Sequence, residues 1–158
     1  MSIALAAFER IARSSKNVGS PAVIESRGVH PFDERNIHPD IAGVSQKLFD
    51  DGHFAQATFE ALKYVDNQVK DLTGIEDSGF NLMMAAFNEK NAKIMLTDLA
   101  TISEKDEQLG FRHMFAGSMS AIRNPRAHDN STDTIDVCLD HLSLASVLLR
   151  RLDDRIAP

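Results

Sequence analysis

One stretch constrains the fold more than any other. Phe54, Ala57, Thr58, Ala61, Leu62, Val65, Val69 and Leu72 recur at three- and four-residue spacing and stop at Gly74. Such a stripe lies on one face of an α-helix of about five turns and must be covered by other elements. Equivalent, shorter stripes flank it. Pro39 and Asp40 suit a first helical turn, and Ile41, Val44, Leu48 and Phe49 follow until Asp51-Gly52 stops the helix. Phe80 to Phe87 reads as another helix. Ser103, followed by Glu104, Asp106 and Glu107, predicts the start of a further one, with apolar positions from Leu109 to Ile122. Pro125 disfavours helical geometry at Asn124, so that helix is expected to end near Arg123. A last helix, capped by Thr134 or Asp133, runs through Ile135, Leu139, Leu142, Ala145, Leu149 and Leu152, with Arg150, Arg151 and Arg155 near its negative end.

With few strand signals, these segments predict an all-α antiparallel bundle of four to five main helices. Lys93 to Leu99 fits an extended excursion or a short hairpin arm. At the other end, Ser2 to Arg13 predicts a short helical appendage, and Ser14 to Asn36, with Gly19, Pro21, Gly28 and Pro31, reads as a loose connector. The expected division is therefore 1–36, N-terminal helix and connector, and 37–158, the bundle.

A chain of 158 residues can bury a core without disulfides or a structural metal. Its single cysteine, Cys138, falls in an apolar helical stripe and reads as a core residue in a reducing cytoplasm. No apolar run approaches the roughly 18 to 20 residues of a membrane span. The net charge of -6 excludes a protein that coats nucleic acid with its whole surface. Any contact with an anion must be local, and Phe111 to His128 is a stretch without Asp or Glu that carries Arg112, His113, Arg123, Arg126 and His128.

P-loop, dinucleotide-fingerprint, paired-cysteine zinc and His-Glu-x-x-His motifs are absent, and the histidines at 30, 38, 53, 113, 128 and 141 show no metal-holding helical spacing. No metal or cofactor is expected. A Ser-His-Asp hydrolase stays open, because triads assemble in space, although no nucleophile-elbow pattern occurs. What remains is Arg123-Asn124-Pro125-Arg126-Ala127-His128. An imidazole with an ordinary pKa near ~6.5 moves protons at neutral pH, and a guanidinium offers a planar fork to a phosphate.

An arginine, four residues including a polar one directly after it, and a histidine resemble the signature of the HEPN superfamily. The bare spacing is expected about once by chance in such a chain, so its weight comes from context. Ile37-His38-Pro39-Asp40-Ile41, the Phe49-Asp50-Asp51-Gly52-His53-Phe54 turn, Ala57-Thr58-Phe59-Glu60-Ala61, Ile122 to His128 and Ala145 to Asp153 together are similar to the Hypoth_Ymh family, a bacterial and phage-associated group placed near HEPN proteins. The resemblance implies an endoribonuclease of toxin or phage-defence type that needs no metal and leaves a 2′,3′-cyclic phosphate and a 5′-hydroxyl. Arg123, His128 and Asn124 would be catalytic, with Arg126 and Glu60 contacting the RNA substrate. It also implies a homodimer whose two motifs meet in one composite site. The alternative is a non-catalytic helical interaction module that partners an antitoxin or a larger defence protein.

Overall fold

The computed structural model describes residues 28–128 and 132–156; the expected helix over Ser2 to Arg13 lies outside them. Seven α-helices occur among these residues, with no strand. They are α1 (Pro31–Glu34), α2 (Pro39–Asp50), α3 (Phe54–Thr73), α4 (Gly79–Ala86), α5 (Ile102–Ser118), α6 (Asn124–His128) and α7 (Ile135–Asp153), and a π-helical turn, Met119–Arg123, joins α5 to α6.

The expected stripe makes α3 the central helix. It packs against α2, α4, α6, α7 and the π-turn, and Ala57, Ala61, Leu62, Val65 and Val69 lie in the core. Valines and Thr58 cost a helix a few tenths of a kcal/mol each in propensity, whereas burying one valine is worth about 1.5 kcal/mol or more. Packing therefore decides the helix. Its end is fixed by Gly74 in the left-handed region at φ +65°, which an L side chain enters only with strain. Inside α3, buried Asp66 accepts a 2.7 Å bond from the Gly79 amide and so holds the start of α4 against the centre.

Phe87 and Phe115 stack with centroids 4.4 Å apart where α4 and α5 meet. At the other side, the His38 ring at the start of α2 meets Asp153 at the end of α7, 2.9 Å away. Cys138 is buried, as a core residue should be.

Three sequence expectations need correction. The core reaches further back than Ile37: Phe32 on α1 is 4 % exposed and packs at 5.1 Å against Phe49, so Pro31–Glu34 is structured. Helix α5 starts earlier than Ser103, because Thr101 accepts from the Glu104 amide while the Glu104 carboxylate takes the Thr101 amide, a reciprocal capping box. The Lys93 to Leu99 stretch is a loop, neither strand nor hairpin. Fully buried Gln108 clamps it, accepting from Leu96 N at 2.8 Å and donating to the carbonyls of Phe87 and Ile94 at 3.1 and 3.0 Å.

Candidate functional site

The segment from Met119 to His128 does not break at Pro125. In a regular α-helix the proline ring would strike the carbonyl four residues back. Here the chain widens first, and the Asn124 amide reaches the Met119 carbonyl five residues away. A π-turn of this kind is a known place for a helix to absorb an irregularity. Beyond it, α6 carries Asn124 through His128 as one more helical turn. The helix-end expected near Arg123 is thus replaced by a wide turn and a continuation.

Arg126 anchors this continuation. Its Nε and Nη2 donate to the two carboxylate oxygens of Asp133 at 2.7 and 2.6 Å, and its Nη1 donates to the Ile122 carbonyl at 2.8 Å. The side chains of Arg126 and Asp133 are 10 % and 6 % exposed. Thr58 on α3 adds a 3.3 Å bond to Asp133, and the ring Nδ1 of His141 lies 3.3 Å from Arg126 Nη2. Burial, and then the Arg126 charge, lower the His141 pKa below its usual value of 6.5, so the neutral ring accepts from the guanidinium. Burial likewise raises the neighbouring Cys138 thiol. Arg126, read from sequence as a phosphate contact, is engaged by Asp133 and the Ile122 carbonyl, which ties α6 to the residue before the α7 cap.

Arg123 has no such partner. Its guanidinium lies over the Phe59 ring at 5.6 Å and donates from Nη1 to Asn124 Oδ1 at 3.1 Å. Its buried Nε has no hydrogen-bond partner among the described residues. Arg35, Arg112, Arg126 and Arg151 each meet a carboxylate; among the described residues Arg123 meets none. Glu60, expected to face a substrate, pairs with Lys63 at 3.2 Å and takes a long bond from Gln56. Its charge is compensated by a cation on its own helix.

His128 ends α6 with its side chain exposed. It lines an open recess of about 650 Å³ together with Gly52, His53, Gln56, Arg126, Thr132 and Asp133. Arg123 is not part of that lining. The structure therefore places His128 and the Arg126–Asp133 pair at one recess, and Arg123 with Asn124 on the adjoining face against Phe59. Sequence reasoning missed Asp133, Thr58, Phe59 and His141 as the frame of the segment. The one available signal was an acid seven residues after Arg126 at the entry to a helix. No group of three or more His, Cys, Asp or Glu side chains among the described residues is arranged to hold a metal. No described helix is long and apolar enough to cross a membrane.

Among the described residues, fold and site define a helical bundle in which a π-turn and a proline present an arginine that meets no carboxylate and an exposed histidine five residues apart. Residues 35–152 match the family described as "Protein of unknown function (Hypoth_ymh)", and the chain belongs to that family. The comparisons with curated proteins and with solved structures gave no match.

Proposed function

We propose that this chain is a metal-independent endoribonuclease in which Arg123 and Asn124 hold the scissile phosphate and His128 moves a proton. The observation that carries the reading is the charge of Arg123, which meets no carboxylate among the described residues, on a segment whose other arginine is fully engaged. A guanidinium held this way is a receptor for a phosphate, and hydrogen bonds to charged groups contribute about 1.5 to 3 kcal/mol. RNA supplies its own nucleophile, the 2′-hydroxyl, so proton transfer and charge stabilisation suffice. The products are a 2′,3′-cyclic phosphate and a 5′-hydroxyl.

In this reading the protein works as a homodimer of toxin or phage-defence type. Two copies of the segment would gather local positive charge that a chain of net charge -6 otherwise lacks. A second reading, a non-catalytic module that binds an antitoxin or a larger defence protein, draws on an apolar groove of about 260 Å³ bordered by Met114, Gly117, Ala121, Ile122 and Leu144. RNA incubated with the purified chain in EDTA separates the two. Cleavage in EDTA that disappears in Arg123→Ala and His128→Ala supports the nuclease. Folded protein that cuts nothing, and whose partner binding ignores His128→Ala, supports the module. Cleavage that requires a divalent metal overturns the mechanism.

A further inference from the structure

Cyclising RNA moves two protons. The 2′-hydroxyl loses one as its oxygen bonds to phosphorus, and the 5′ oxygen gains one as the phosphorus–O5′ bond breaks. A single imidazole is poorly placed to do both in one step. We infer that His53 is the second proton-transfer residue, acting in the same chain as His128 on a phosphate that spans the edge between their recess and the adjoining face of Arg123; this rests on the endoribonuclease reading above.

His53 and His128 line the same recess, one from the α2–α3 turn and one from the end of α6. The backbone of His53 is fixed on both sides. Its amide reaches Leu48 O at 2.8 Å while the Gly52 amide reaches Phe49 O at 3.0 Å, closing α2 in a Schellman pattern. Gly52 makes this possible at φ +80°, and the His53 carbonyl then accepts the Ala57 amide at 2.9 Å to open α3.

Two other histidines at N-cap positions, His30 and His38, are used differently from exposed His53. Each accepts the amide two residues on at Nδ1 and pairs through Nε2 with a carboxylate, Asp50 or Asp153. His53 makes no side-chain cap bond, and neither of its ring nitrogens has a hydrogen bond among the described residues. The 20-residue helix behind it has no acid in its first turn, so its positive end adds to the preference of the recess for an anion. The other charged groups nearby are Asp51, held by Lys47 at 2.8 Å, and Asp133, held by Arg126, with His141 behind that pair.

In the step itself, one imidazole accepts the 2′-hydroxyl proton and the other, entering as imidazolium, donates to O5′. The cyclic phosphate and the 5′-alcohol leave, and exchange with water restores both rings.

The test is single-turnover cleavage of a short oligoribonucleotide by the full chain in EDTA across pH 5 to 9. The wild type is expected to give a bell-shaped profile. His53→Gln is expected to lose about 10²- to 10⁴-fold in rate and one limb of the bell. His53→Asn should lose as much while folding at least as well, because asparagine is a favoured N-cap. On a uridine 3′-(p-nitrophenyl phosphate), whose leaving group needs no proton, whichever of the His53 and His128 variants lacks the acid should regain most of its rate. A mixture of His53→Gln and His128→Ala should stay inactive, since both groups are needed in one chain.

Wild-type rate and both limbs in His53→Gln, with His128→Ala inactive, overturn the role of His53 and leave the nuclease standing. Recovery of activity in the mixture overturns the single-chain site. A folded wild type that cuts neither substrate overturns both readings.

Discussion

Replacing Arg126 by methionine keeps the stem that packs α6 and removes the fork that holds Asp133. The carboxylate, 6 % exposed, is then left with only the 3.3 Å bond from Thr58 and the neighbouring His141 ring. Breaking one side of a buried ion pair typically costs about 3 to 5 kcal/mol, mostly from the orphaned charge. Against a typical total stability of about 5 to 15 kcal/mol, that is a large share. With an m-value of about 2 kcal/mol per molar urea, the midpoint should fall by about 1.5 to 2.5 M. The assay is urea unfolding followed by far-UV circular dichroism. The double variant Arg126→Met with Asp133→Leu removes both charges and fills the same space, and it should recover to within about 1 kcal/mol of the wild type. A single variant that loses less than about 1 kcal/mol, or a double variant no better than the single, would refute the claim that this pair anchors α6.

Four further outcomes follow from the same contacts. Gln108→Ala strands the Leu96 amide and the carbonyls of Phe87 and Ile94, and a loss of about 2 to 4 kcal/mol is expected in chemical unfolding, with amide exchange rising first across 87–96. Thr101→Ala removes half of the capping box, and a fall of about 1 kcal/mol is expected by the same method. For His141, whose folded pKa lies below 6.5, the unfolded chain binds the proton more readily. Stability should therefore fall as pH drops through about 6.5 toward the folded pKa, and His141→Gln should flatten that acid limb in melts from pH 5 to 8. Arg123→Met removes a buried donor that has no partner among the described residues, so unfolding should show no loss of stability, or a gain of up to about 1 kcal/mol, while on the nuclease proposal RNA cleavage should be abolished.

The helices were legible wherever a stop or start signal is local. Pro39, Gly52, Gly74 and Thr134 mark boundaries that the structure keeps, because each acts through its own backbone or the next turn. Thr101 and Ser103 are both good caps, and Glu104 three residues after Thr101 carries the deciding capping-box signal. The 87–101 stretch was not legible, because its course depends on one glutamine brought in from α5 rather than on any periodicity. Arg126 illustrates a different limit. Composition counts it as one more cation in an acid-free run, and only the fold brings Asp133 to it. His53 was visible in the turn between α2 and α3, but nothing in its spacing distinguishes a ring that caps from a ring that does not; its difference from His30 and His38 appears only in hydrogen bonds.

Pro125 and the π-turn also determine which way the site faces. A π-turn accommodates one residue more than an α-turn, so everything after Arg123 is rotated by about 100° relative to an uninterrupted α5. That rotation is what lets the Arg126 fork meet Asp133 below α6 and sets His128 on the recess beside His53. Deleting Ser120 would return the segment to α-helical register with the same downstream phase, and would drive the Pro125 ring toward the carbonyl four residues back. The same irregularity that a sequence rule reads as a helix terminus thus carries the helix on in the one phase that assembles anchor and recess together.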